Sequence, residues 1–91
     1  MVIKLKPVQT EALAILYAYQ KRWTNPHADM MAGYTQNLLS PKSVAGVMGF
    51  LWKKGLVERS SSNYGKIYEI TEKGMKYLSA DDIKKAKELV D

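Results

Sequence analysis

The 91-residue chain has no cysteine and one histidine, His27. Without cysteine there is no disulfide framework, no thiolate zinc site and no thiol nucleophile. A lone histidine excludes multi-histidine metal sites and the histidine–cysteine pairs of nucleophilic catalysis. A phosphate-cradling glycine loop is also missing, because Gly46 and Gly49 fall inside a helical pattern with no adjoining strand. The carboxylates are scattered, and Asp81 and Asp82 belong to a helix start. The expectation is a protein with no catalytic activity, no cofactor and no metal. No stretch approaches the roughly 18 apolar residues of a membrane span. Met1 to Lys6 lacks the apolar run of a secretion signal, so a soluble, cytoplasmic protein is expected.

What is present suits one small globular domain spanning 1–91, with an ordinary balance of 46% hydrophobic and 25% charged residues. A domain of this size leaves much of its surface exposed and is only modestly stable alone. The formal net charge is +5 and lies in the body of the chain, while the segment 79–91 is close to neutral. A basic body suits a polyanionic partner.

The local signals predict an order of three helices, a hairpin and two more helices. Residues 8–23 read as a first helix, with Val8, Ala12, Ile15, Leu16, Tyr19 and Trp23 on one face. Leu13 and Tyr17 form a second apolar strip, to be packed against another part of the chain or against a partner. Asn25 as a cap and Pro26 at the first helical position predict a second helix running from about Pro26 into the 30s, with Met31, Tyr34 and Leu38 inward. On that reading His27 is a solvated first-turn residue.

Ser40-Pro41 repeats the start signal for a third helix, over 41–54. There Val44, Val47, Met48 and Leu51 make an inward stripe and Gly55 ends the element. Leu56–Ser61 and Lys66–Ile70 read as paired strands around the turn composition of Ser62-Asn63-Tyr64-Gly65. Thr71 caps a short helix carrying Met75 and Leu78. Ser79 and Asp82 start a last helix over 80–90, with Ile83, Ala86 and Val90 on a common face.

Two stretches carry a family resemblance. Ser40-Pro41-Lys42-Ser43-Val44, followed by Phe50-Leu51-Trp52-Lys53-Lys54-Gly55-Leu56-Val57-Glu58-Arg59, resembles the recognition helix and first wing strand of winged-helix regulators. Tyr68-Glu69-Ile70-Thr71-Glu72-Lys73-Gly74 resembles the second wing strand and following helix start of MarR-like and PadR-like transcriptional regulators. The resemblance covers roughly residues 8–78. It implies a mainly α winged helix-turn-helix fold with a small β-hairpin. The function it implies is binding of double-stranded DNA, with helix 41–54 in the major groove and the wing at 57–70 beside it. Winged helices also serve as protein-interaction modules in transcription or replication assemblies, and that is the second reading.

The residues themselves partly agree. With the Val44–Leu51 stripe inward, the outward centre of helix 41–54 holds Lys42, Gly46, Gly49 and Lys53, flanked by Ser43, Phe50 and Lys54 on one edge and by Ala45 and Trp52 on the other. Lysines and a serine hydroxyl can engage phosphates, which position a protein without reading sequence. In the wing, Arg59, Asn63, Tyr64 and Lys66 supply further cationic and polar groups. The plainer readings are that Lys53 and Lys54 complement the negative end of the helix dipole, that Tyr64 is a turn residue, and that Phe50 and Trp52 are packing groups. The helix departs from the family in carrying no outward Arg, Asn or Gln, the side chains suited to paired contacts with base edges. The smooth Gly46/Gly49 face and Phe50 would equally receive a protein helix.

A homodimer is also expected. Leu13 and Tyr17 on the first helix, with Ile83, Ala86, Leu89 and Val90 on the last, would be buried against a second copy. The competing arrangement packs the last helix on Leu13 and Tyr17 within one chain.

Overall fold

A computed structural model of the chain describes residues 4–35, 40–63 and 65–91. It is mainly helical, with a two-stranded antiparallel hairpin. In chain order the elements are α1 (Pro7–Arg22), α2 (Ala28–Ala32), α3 (Pro41–Lys53), β1 (Val57–Ser62), β2 (Gly65–Ile70), α4 (Glu72–Met75) and α5 (Ala80–Val90). Leu38 lies outside the described residues.

The middle of the molecule is α1. It starts at Pro7, whose missing N–H costs nothing at the first helical position, and Gln9 Oε1 accepts from the Lys6 N–H at 2.9 Å. Ala12 to Leu16 are all buried, so the helix is enclosed on every side. One side meets α5. The small side chains Ala14 and Ala18, one helical turn apart, lie there with Arg22, whose Nε stands 3.4 Å from Asp91 Oδ1. The opposite side meets the hairpin, where Gln20 Oε1 accepts from the Ile70 N–H at 2.9 Å.

Of the residues on which pairing between copies was expected, three are covered within the chain and three are partly exposed. Leu13, Ala86 and Val90 are buried in the common core, and Tyr17, Ile83 and Leu89 are half-buried. The last helix packs on α1 within the chain, as the single-chain alternative had it, with Ala14, Ala18 and Arg22 of α1 among the residues beside it. It packs through the alanine side of α1, because small residues let two helices approach closely while Leu13 fills the core beyond.

The turn between α1 and α2 also differs from expectation. Asn25 caps nothing and Pro26 lies outside the helix; α2 starts only after His27. Pro26 is buried, and its carbonyl accepts from the Tyr68 N–H at 3.1 Å. His27 forms an antiparallel bridge with Ile67. Its ring Nδ1 donates to the Lys66 carbonyl at 3.1 Å, which requires the proton on Nδ1. His27 is thus half-buried and tied to the hairpin instead of solvated in a first turn. His27 itself is extended, at φ −81° and ψ 163°, the backbone that a sheet bridge needs.

The third helix follows its sequence signals closely. Ser40 Oγ accepts from the Ser43 N–H at 3.1 Å, Pro41 occupies the first position, and Val44, Met48 and Leu51 are fully buried. Gly55 takes a φ of 78° just past the helix, a left-handed conformation that glycine adopts without steric penalty. The chain then turns into β1, which pairs with β2 in a register running from Val57 opposite Ile70 to Ser62 opposite Gly65. The last helix opens with the reciprocal cap, Asp82 N–H to Ser79 Oγ at 3.1 Å and Ser79 N–H to Asp82 Oδ2 at 3.0 Å.

Candidate nucleic-acid interface

Burial of Val44, Met48 and Leu51 turns the opposite side of α3 to solvent. Lys42, Ser43, Gly46, Lys53 and Lys54 are exposed there, and Gly49 and Phe50 are half-exposed. A side chain at Gly46 or Gly49 would meet nothing within 4 Å, so the middle of this face is bare backbone with open space in front of it. Lysines stand at each end of that bare strip.

Each edge of the face carries a cation stacked on an aromatic ring. On one edge Lys54 Nζ lies 5.7 Å from the Phe50 ring centroid, and Phe50 packs against the core. On the other, the Arg59 guanidinium carbon lies 3.8 Å from the centre of the Trp52 ring. Phe50 thus both packs against the core and stays half-exposed at the edge of the face. Trp52 is 41% exposed, with the Arg59 guanidinium laid against its ring. Sequence reasoning places Trp52 and Arg59 separately and misses that they touch. The available signal was the alternation of β1, which sets Arg59 on the side of the buried Val57 and hence toward α3.

That alternation sorts the hairpin's charges. On one face, from base to tip, lie the opposed pairs Val57/Ile70, Arg59/Tyr68 and Ser61/Lys66. The other face carries Glu58 directly opposite Glu69. Both cations thus share one face of the hairpin, where Arg59 reaches Trp52 of α3, and both carboxylates alternate to the other face. Lys66 is exposed, and its backbone is held by His27. Asn63 is exposed in the turn at the hairpin tip, and Tyr64 lies outside the described residues. Of the expected hairpin contacts, Arg59 is brought against α3 through Trp52, and Lys66 lies on the same hairpin face beside His27.

A second exposed aromatic group stands at the far end of α1. Tyr19, Trp23 and Tyr34 have ring centroids 4.8 to 6.2 Å apart, with Trp23 50% exposed. Among the described residues, no group of three acidic or histidine side chains could hold a metal ion, and no helix is long and apolar enough to cross a membrane. Comparison with known proteins gives no match to a family model, to a curated protein or to a solved structure.

Proposed function

We propose that the chain is a winged helix-turn-helix domain that binds double-stranded DNA and regulates transcription in the cytoplasm, with α3 in the major groove and the β1–β2 hairpin as the wing. The observation that carries this reading is the set of cations exposed on α3 and carried on one face of the hairpin beside it. Lys42 and Lys53 are exposed on the outward face of α3, Arg59 stacks on Trp52 at the edge of that face, and Lys66 shares the hairpin face of Arg59. Such a surface follows a phosphate backbone.

The bare Gly46/Gly49 strip supports close approach of the helix backbone to the duplex. With no outward Arg, Asn or Gln on α3, sequence preference comes chiefly from duplex shape and from the wing. Phosphate contacts then supply most of the affinity, and binding is strongly salt-dependent.

A fluorescence-anisotropy titration against a labelled random duplex, over a range of salt, tests the proposal. Replacing Lys42, Lys53 and Lys66 together by alanine should weaken binding and reduce the log–log salt slope by about 0.9 for each phosphate no longer neutralised. Unchanged affinity and slope in the triple variant would remove this surface from the proposal. A wild-type chain that binds no duplex would leave the protein-interaction reading of the same face.

A further inference from the structure

We propose that Trp52 and Arg59 form a preset phosphate clamp, in which the indole holds the guanidinium flat so that its N–H edge takes the oxygens of one DNA backbone phosphate beside α3. The proposal rests on the DNA-binding reading above and names a contact that reading does not supply. The Arg59 guanidinium carbon is 3.8 Å from the Trp52 ring centroid, the distance of a planar cation laid face-on. Stacking uses the faces of the guanidinium and leaves its five N–H donors on the rim. Among the described residues Arg59 makes no ion pair, although Glu58 lies on the same shallow cleft with Trp52.

Both residues are anchored from behind. Trp52 follows the fully buried Leu51 in the last turn of α3, and Arg59 is held in register opposite the buried Tyr68. A free arginine must give up much side-chain entropy to hold a phosphate, and the stack removes part of that loss in advance. Position decides between phosphate and base. Taking about 100° per residue, Trp52 lies at the edge of the α3 face whose centre holds Lys42, Gly46, Gly49 and Lys53. A cation at that edge, beside a helix lying in a groove, faces the backbone and not the base edges.

The test uses the full chain, a labelled random-sequence duplex, and the same duplex carrying uncharged methylphosphonate linkages. Arg59→Ala should lose roughly tenfold or more in affinity, with the salt slope reduced by about 0.9. Arg59→Lys should keep the slope, because the charge remains, and lose affinity because an ammonium neither forks nor stacks as a guanidinium does. Trp52→Leu should also keep the slope and lose affinity, and adding it to Arg59→Ala should cost little more. On the methylphosphonate duplex the gap between wild type and Arg59→Ala should shrink.

A stack that only fastens the hairpin to α3 would change thermal unfolding but not the salt slope. Wild-type affinity and slope in Arg59→Ala would overturn the clamp and leave DNA binding by the lysines standing. A loss confined to particular base sequences, at unchanged slope, would mean a base contact and overturn the phosphate assignment. If Arg59→Ala does not fold, wild-type affinity in both Arg59→Lys and Trp52→Leu overturns the clamp. Failure of the wild-type chain to bind any duplex would overturn the clamp and the DNA-binding reading together.

Discussion

The backbone N–H of Thr71 donates to the carbonyl of Leu56 at 3.1 Å, so the residue that leaves the hairpin is fastened to the residue that precedes it. Thr71 Oγ1 adds a 2.8 Å bond to the Gly55 carbonyl and accepts from the Gly74 N–H at 3.0 Å. Three turns of chain therefore meet at one point: the end of α3, the legs of the hairpin and the start of α4. Whatever the hairpin and α3 bind together, this junction fixes the angle between them.

Gly74 is the tightest part of that junction. It is buried, and a side-chain carbon on it would collide with the Leu56 carbonyl and crowd Ile70. Backbone cannot move aside as a flexible side chain can. Gly74→Ala should destabilise the fold by about 1–3 kcal/mol or more, as overpacking does. Thermal unfolding of the variant checks it, and an unchanged midpoint would show that α4 can shift freely.

His27 fastens the other edge of β2. Its Nδ1–H bond to the Lys66 carbonyl and its bridge to Ile67 stand beside the Tyr68 N–H bond to Pro26. His27→Ala should cost about 0.5–1.5 kcal/mol, the net worth of an ordinary hydrogen bond. The loss should be local, with faster amide exchange at Tyr68 than in the middle of α1. Uniform acceleration across the chain would mean that His27 supports the whole core and not the hairpin edge alone.

This attachment also marks where the sequence stops being legible. Ser40-Pro41 and Asn25-Pro26 are the same helix-start signal, yet only the first begins a helix there. The difference is the Tyr68 N–H, which takes the Pro26 carbonyl into the sheet from a distant part of the chain, and no local window contains that partner. Signals that close on themselves were readable: the Ser40 cap, the reciprocal Ser79/Asp82 cap, the Val44–Leu51 stripe and Gly55. The lysines of the α3 face were readable too, because an amphipathic helix fixes its own outward side. The Trp52–Arg59 stack was not, since it depends on how the hairpin folds back on α3.

Leu13 distinguishes a core residue from an interface residue. It is wholly buried within the single chain. Leu13→Ala should therefore destabilise the single chain by about 2–5 kcal/mol. The lower unfolding midpoint should be the same at low and high protein concentration. A variant that kept its midpoint while light scattering changed from dimer to monomer would restore Leu13 to an interface.

The glycines of α3 give the sharpest test, because stability and binding should change in opposite directions. A glycine inside a helix costs about 1 kcal/mol relative to alanine. At Gly46 and Gly49 no packing neighbour explains that cost, since an added carbon would meet only open space. Replacing both by alanine should therefore stabilise the fold by up to about 2 kcal/mol. If the bare strip lets the helix backbone come close to a duplex, the same double change should weaken DNA binding, and larger side chains should weaken it further. Thermal unfolding and duplex titration must be made on the same protein. A variant that gains stability and keeps full affinity would show that close approach at these positions is not needed for DNA. The smooth face would then be better explained by a protein helix laid against it, and the double variant should fail to retain such a partner.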